Sequence, residues 1–301
     1  MKKIIADKEL ESLRLDRYIR KLFPEVSLNE AYKIIKDGEV LINRKKVKNN
    51  YRIQIKDEII LFLKPADKKE RKVNKEIKDI DDRILLEDEE ILIFNKPSGI
   101  PVHLGSNWDY SLEEILKNKF GELYLVHRLD KETSGIMILA KKRSIARELS
   151  TEISGHNIKR TYKALVKGRI NTKGEILLNI EKDKHKMKII KDGKSGKQAA
   201  TTYSRIEIIG NNSLILLNLN TGRTHQIRLH ISSIKHPIAG DWKYGDQEYN
   251  IQMKKLGLKR MFLHSYQIEL SHPLTGKQIK ISCEIPKELF TVLNNSKTIK
   301  S

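Results

Sequence analysis

The chain has 301 residues and carries 59 Lys and Arg against 39 Asp and Glu, a formal charge of +20 at pH 7. Such an excess calls for a polyanionic partner, either nucleic acid or an anionic membrane surface. No apolar run approaches the length needed to span a bilayer, which leaves nucleic acid and no membrane. Met1 to Glu9 is interrupted by charge and does not read as a signal peptide. The one cysteine, Cys283, excludes an internal disulfide framework and a Cys-built zinc site. A reduced, cytoplasmic setting is therefore the expectation. The length accommodates one large and one small domain.

Residues 1–63 read as the small one. Leu15, Tyr18, Ile19 and Leu22 recur at helical spacing, and Pro24 stops that helix. Ser27-Leu28-Asn29-Glu30 has capping-box form and opens a second helix through Ala31, Ile34 and Ile35 to a stop at Asp37-Gly38. Val40 to Ile42, a turn over Asn43 to Lys46, and the run Ile59 to Leu63 supply short strands. The picture is a helix pair backed by a small sheet. Arg14, Arg17, Lys33, Arg44, Lys45 and Lys46 make either a phosphate-binding face or a solvated surface. Residues 64–83 alternate charges with few large apolar residues and read as a linker.

The second domain covers residues 84–301. Ile91-Leu92-Ile93-Phe94 is a strand, and the Asn95 to His103 segment, with Pro97, Gly99 and Pro101, is a loop. Leu125 to Lys141 places two apolar runs either side of a polar centre, which predicts strand, turn and strand with the turn at Thr133-Ser134-Gly135. If the first strand reaches Asp130, its period of two puts Arg128 and Asp130 on one side and His127 and Leu129 on the other. Arginine beside aspartate favours the ionised carboxylate that a nucleophile needs. Spacing alone fits equally a turn aspartate with a surface ion partner. Lys142 to Ile153 predicts a basic helix, and Ile158 to Gly168 a strand with Tyr162 and Ala164 on one side. Ile180 to Ala199 is Lys-rich with Gly193 and Gly196, a long hairpin or mobile loop that is either a nucleic-acid grip or a solvated tip. After the buried strand Leu214 to Leu217, Thr221 to Ile231 reads as a loop entering a helix, with Ile227, Ile231 and Ile234 at helical spacing and a stop before Pro237. A helix start carrying Arg223 and Arg228 suits an anion. His225, His230 and His236 are five and six residues apart, which does not stack them, so no metal is expected. Neither a dinucleotide fingerprint nor a P-loop is present, so no cofactor is expected.

Several of these segments resemble the RluA family of RNA pseudouridine synthases. They are Asn95-Lys96-Pro97-Ser98-Gly99 to His103, His127-Arg128-Leu129-Asp130 followed by Thr133-Ser134-Gly135, and Arg160-Thr161-Tyr162-Lys163-Ala164. Gly222-Arg223-Thr224-His225-Gln226-Ile227-Arg228, Gly240-Asp241, Tyr244-Gly245-Asp246 and Leu263-His264-Ser265 continue the series. Leu104 stands where the family has a proline. Arg14-Leu15-Asp16 and Gly38 to Asn43 are similar to the S4 RNA-binding domain. The resemblance implies an α+β fold whose second domain has a mixed, mainly antiparallel sheet with a central cleft. It implies Asp130 as the catalytic residue, with Arg128, Tyr162, Arg228, Ile227 and His127 at the substrate. Arg228 would pair with Asp130, Ile227 would line the pocket, Tyr162 would stack on the target base and Arg128 would fill the gap left by it.

The reaction implied breaks the C1′–N1 bond of an RNA uridine, rotates the base and joins C1′ to C5, with no cofactor. Attack at C1′, addition to C6 and proton abstraction at C2′ all remain open for Asp130. The S4-like module and the Gly245 to Tyr249 insert bring the chain nearest to the family's C subtype of large-subunit ribosomal RNA synthases. A monomer acting on 23S ribosomal RNA or a large-subunit assembly intermediate is the expectation. A ribosome-assembly protein with a vestigial centre and a base-releasing nucleoside hydrolase are the competing readings.

Overall fold

The computed structural model describes residues 2–8, 10–23, 26, 28–62, 77, 79–104, 110–183, 186–190 and 195–297. The chain divides into two compact units, Met1–Lys72 and Val73–Ser301.

In the first unit, strand β1 (Lys2–Ile5) precedes helices α1 (Leu15–Leu22) and α2 (Leu28–Asp37) and strands β2 (Val40–Ile42) and β3 (Glu58–Leu61). The strands form an antiparallel sheet in the order β1-β3-β2. Leu15 and Ile19 from α1 and Ala31 and Ile35 from α2 pack on Val40, Ile42, Ile59 and Leu61, all fully or almost fully buried. The helix pair and small sheet are those the periodicity predicts. Strand β1 is additional, because its two lysines hide the apolar Ile4-Ile5 pair from a hydrophobicity reading. The predicted stop at Pro24, the cap at Ser27 and the strand end at Leu63 lie outside the described residues. Asn43 and Arg44 both take left-handed backbone, φ +49° and +65°, which turns the chain sharply at the end of β2.

Of the predicted linker, residues 64–76 and 78 lie outside the described residues. Ile77 and Ile80 belong to the core of the second unit, which thus begins before the Ile84 strand. After a 3-10 turn (Asp81–Arg83) come strands β4 (Ile84–Glu87) and β5 (Ile91–Lys96), helix α3 (Leu112–Phe120), strands β6 (Tyr124–Leu125) and β7 (Ser134–Ala140), and helix α4 (Arg143–Ser154). Strands β8 (Lys159–Lys167), β9 (Lys173–Leu177), β10 (Asn179–Asp183), β11 (Lys186–Ile190), β12 (Ala200–Ile209) and β13 (Asn212–Leu219) come next. Helices α5 (Gln226–Ser233) and α6 (Gln247–Lys255), strands β14 (Leu263–Ser271) and β15 (Gln278–Ser282) and helix α7 (Lys287–Lys297) complete the unit.

Ten strands make one sheet in the order β4-β5-β7-β14-β8-β13-β12-β9, with β15 beside β14 and β6 beside β7, and β10-β11 form a separate hairpin. The sheet is mixed, because β7 and β14 run parallel while the other pairs are antiparallel. Every residue of β7 is buried. Its alternating side chains serve two cores: Met137 and Leu139 pack with Leu112 and Leu116 of α3, while Ile136 and Ile138 pack with Ile145 and Leu149 of α4. A central strand covered on both faces is a rigid base for whatever its N-terminal end carries.

Candidate active site

The segment preceding β7 carries Asp130. The strand expected to reach this residue ends at Leu125, and residues 126–133 are irregular. The turn also lies earlier than predicted. Thr133 N–H bonds to Asp130 O at 3.1 Å, closing a turn over Lys131 and Glu132, while Ser134 and Gly135 already belong to β7. Glycine is required there for approach rather than turning. Gly135 has φ +109°, and a Cβ on it would fall 2.2 Å from Ser265 O of β14.

The predicted loop after β5 supports this turn from beneath. Lys96 is fully buried, and its Nζ donates to Pro97 O, Lys131 O and Thr133 O at 2.8–3.0 Å. Ser98 Oγ donates to Glu132 O and Gly99 N–H to Lys131 O, both at 2.8 Å. Burial, with the nearby Arg260 charge, pushes the Lys96 ammonium down to about 7. The backbone carrying Asp130 is thereby pinned at three consecutive carbonyls.

Asp130 opens into a cleft of about 390 Å³ whose walls include Arg128, Tyr162, His225, Ile227 and Arg228. One carboxylate oxygen is engaged: Arg228 Nη1 donates to Oδ2 at 2.9 Å. Oδ1 has His225 Nε2 at 3.7 Å. Arg228 projects from α5 and is itself fixed, donating from Nε and Nη2 to the two oxygens of Asp241 at 2.7 and 2.8 Å. Side-chain exposure falls along this chain from 19% at Asp130 through 12% at Arg228 to 1% at Asp241. Burial opposes the Arg228 charge, but the bonds and fields of Asp241 and Asp130 outweigh it and raise its pKa. Asp241 is held below the usual carboxylate range against its own burial by Arg228 and by the N–H groups of Tyr244 and Lys243.

Tyr162, on β8, is buried, and burial raises its hydroxyl above the ordinary phenol range, so it stays protonated. Arg128 is exposed at the rim, and Ile227 is buried against the core beneath the cleft. His225 caps α5 in left-handed backbone, φ +57°. Its Nδ1 lies 2.7 Å from Tyr244 Oη, and its ring stands 5.4 Å from the Tyr244 ring at 60°. Burial lowers its pKa although Asp130 opposes this. Strain in a non-glycine residue beside the Asp130 carboxylate is offset by such fixed contacts.

One predicted site residue is not in the cleft. His127 Nε2 accepts the Ile138 N–H at 3.0 Å, and burial, aided by the charge of Arg160, drives its pKa down to about 3. A neutral ring that caps a β7 amide has a structural role, because the irregular backbone before β7 leaves that amide without a strand partner there. The residues that sequence reasoning left without roles are Lys96, Asp241, His225 and Tyr244. A lone lysine ending an apolar strand run before Pro97, and an aspartate after Gly240, were the available signals.

The remaining predicted histidines have other tasks: His230 Nδ1 meets Thr201 Oγ1 at 2.9 Å and His236 Nδ1 the Lys167 carbonyl at 2.8 Å. In the first unit, Arg17, Lys33, Arg44, Lys45 and Lys46 are exposed. Arg14 is not free in the same way. It is half-buried and forks onto the buried Asp16 at 2.8 and 3.0 Å.

The second unit thus carries a carboxylate–arginine–carboxylate chain in a cleft of its mixed sheet. Residues 90–233 match the family described as RNA pseudouridylate synthase, and residues 13–59 match the S4 domain. The Haemophilus influenzae protein named Ribosomal large subunit pseudouridine synthase C is 33% identical, over 100% of this chain and 96% of that protein. The protein of the same name from Haemophilus ducreyi is 37% identical, over 93% and 91%. Among solved structures, human RNA Pseudouridylate Synthase Domain Containing 4 has a TM-score of 0.60 at 26% identity, over 74% of this chain and 96% of that one. The chain belongs to the RNA pseudouridylate synthase family and is an isomerase of RNA uridines.

Proposed function

We propose that this chain converts uridines of large-subunit ribosomal RNA, the 23S RNA free or in an assembling subunit, to pseudouridine with Asp130 as the nucleophile. It acts as a monomer in the cytoplasm; no described helix is long and apolar enough to cross a membrane. The observation that carries the reading is the Asp241–Arg228–Asp130 chain, which engages Oδ2 of an Asp130 that lines the cleft and leaves Oδ1 outside the Arg228 bond. A carboxylate braced on one oxygen by an immobile guanidinium presents the other without reorganisation.

The target uridine must leave its stack to reach this oxygen. Tyr162 offers a ring wall for the extruded base, and Ile227 an apolar floor. Arg128, exposed at the rim, fills the vacated stack or holds the adjacent phosphate. The exposed cations Arg17, Lys33, Arg44, Lys45 and Lys46 grip the RNA backbone, with Arg14 contributing through its pairing to Asp16. Atoms balance without a cofactor, because the C1′–N1 bond breaks, a C1′–C5 bond forms, the C5 proton passes to water and N1 takes up a proton in its place.

The test is tritium release from RNA labelled at uridine C5, with the products resolved by chromatography. Stoichiometric release with pseudouridine as product is expected, and Asp130→Asn should bind RNA without releasing tritium. Release of free uracil would instead mark a hydrolase, and normal release by Asp130→Asn would remove the nucleophile assignment.

A further inference from the structure

Arg160 contrasts with Arg228. It lies on β8 two residues before Tyr162 and so on the same face of the strand. Its relative exposure is 5%, and its Nε and Nη2 are buried with no hydrogen-bond partner. No described carboxylate forms an ion pair with it; Asp130 and Asp241 are both committed to Arg228. An uncompensated buried guanidinium is among the most costly groups a fold can keep. The two unmet donors occupy one edge of the guanidinium, the edge that grips a phosphate or carboxylate in fork geometry.

The surroundings are built around this cation. His127 is held neutral beside it, so no second positive charge competes there. Gly222 covers it: a Cβ at that position would stand 3.1 Å from Nη1 and 3.7 Å from Nη2. The residues on either side of Gly222 are tethered, since Thr221 Oγ1 donates to Gln226 Oε1 at 2.6 Å and Arg223 N–H donates to the same oxygen at 3.0 Å. Gly222, having no side chain, covers Nη1 with backbone alone, and Arg223 next to it already lines the cleft.

We propose that the Nε–Nη2 edge of Arg160 binds a phosphodiester of the substrate RNA next to the extruded uridine, with Gly222 as its cover. The inference rests on the reading of the cleft as a uridine site. Arg160 would fix the backbone on one side of the flipped nucleotide while the exposed Arg128 holds the other. The same desolvation that makes it costly in the free protein strengthens its hold on an anion.

The experiment measures binding of a uridine-containing RNA stem-loop across a KCl series, in the Asp130→Asn protein with and without Arg160→Met. Removing one charged interaction should weaken binding roughly tenfold at low salt and flatten the slope of log K against log[KCl] by about 0.7 to 0.9. The melting temperature should hold or rise, because an unpaired buried charge has been replaced by an apolar side chain. Arg160→Lys should restore the slope. An unchanged slope, or a lowered melting temperature with RNA affinity intact, would identify a purely structural cation and overturn the proposal.

Should Arg160→Met fail to fold, Gly222→Ala crowds Nη1 without altering charge. It should raise KM with kcat retained, and an unchanged KM would equally overturn the proposal. Failure of the unsubstituted chain to isomerise uridine would sink the reading of the cleft instead. Normal turnover with an unaltered slope would sink this inference alone.

Discussion

The first unit and the cleft of the second each use arginine, in opposite ways. In the first, Arg44 is 77% exposed and stands 3.7 Å from Glu58, and Arg17, Lys33 and Lys45 project into solvent. Such cations move freely, are screened by salt and can replace one another. In the cleft, Arg228 is 12% exposed and uses three nitrogens on two carboxylates. In the proposed function, one arrangement supplies affinity by number and the other supplies chemistry by position. Substitutions should therefore act gradually in the first unit and abruptly in the cleft.

The largest effect should come from Asp130→Asn, which keeps shape and removes charge. Turnover should fall at least about a thousandfold while RNA affinity stays within about twofold, read by tritium release and by equilibrium binding. Next is Arg228→Lys. An ammonium cannot fork onto Asp241 and still reach Asp130, so kcat should drop about a hundredfold from misplacement of the carboxylate.

Stability separates the two partners of Arg228 further. Arg228→Leu leaves Asp241 buried without its cation and should cost about 3 kcal/mol in denaturant unfolding. The double variant Arg228→Leu/Asp241→Leu should recover much of that stability and none of the turnover. Equal losses in the single and double variants would show that the unpaired Asp241 charge is not what costs the stability.

The contrast also explains what could be read from the residue order alone. Helices α1, α2 and α5 were legible because Leu15, Ile19, Ala31, Ile35, Ile227 and Ile231 repeat at helical spacing and are buried as that spacing demands. Asp130, Tyr162 and Arg228 were legible through the motifs that contain them, and the structure brings all three to one cleft. The turn position was not, because Thr133-Ser134-Gly135 has turn composition while Gly135 is set by the approach of Ser265 on a strand 130 residues distant. His127 misled for a related reason. A histidine next to a catalytic motif reads as functional until a tertiary partner, here the Ile138 N–H, is known to claim it. Asp241 and Lys96 meet the site through groups distant in sequence, Arg228 and the carbonyls of 131 and 133, so their local signals, an aspartate after Gly240 and a lysine before Pro97, do not say what they hold.

His127 gives a pH-dependent test of its structural role. Its folded-state pKa is lowered from 6.5 to about 3, so between these values the unfolded chain binds more protons than the folded one. Its contribution is complete above about pH 6.5 and is lost as pH falls towards 3. His127→Gln, which does not titrate, should be less stable than the native chain at pH 7.5 and show a shallower loss of melting temperature between pH 6.5 and 4. A binding role would appear instead as a raised KM at pH 7.5 with stability unchanged.

The smallest effects belong to the exposed cations. Arg17→Ala, Lys33→Ala and Lys45→Ala each remove a solvent-screened charge without leaving a buried partner, so each should raise KM only about two- to threefold and leave kcat alone. The salt slope of RNA binding should flatten by up to about 0.9 for each phosphate no longer neutralised. The effects of the three should add, since independent screened cations share no partner. A loss in the triple variant far beyond the product of the singles would mean that one of these side chains fixes a particular RNA feature, and the distinction between binding by number and catalysis by position would then fail for the first unit.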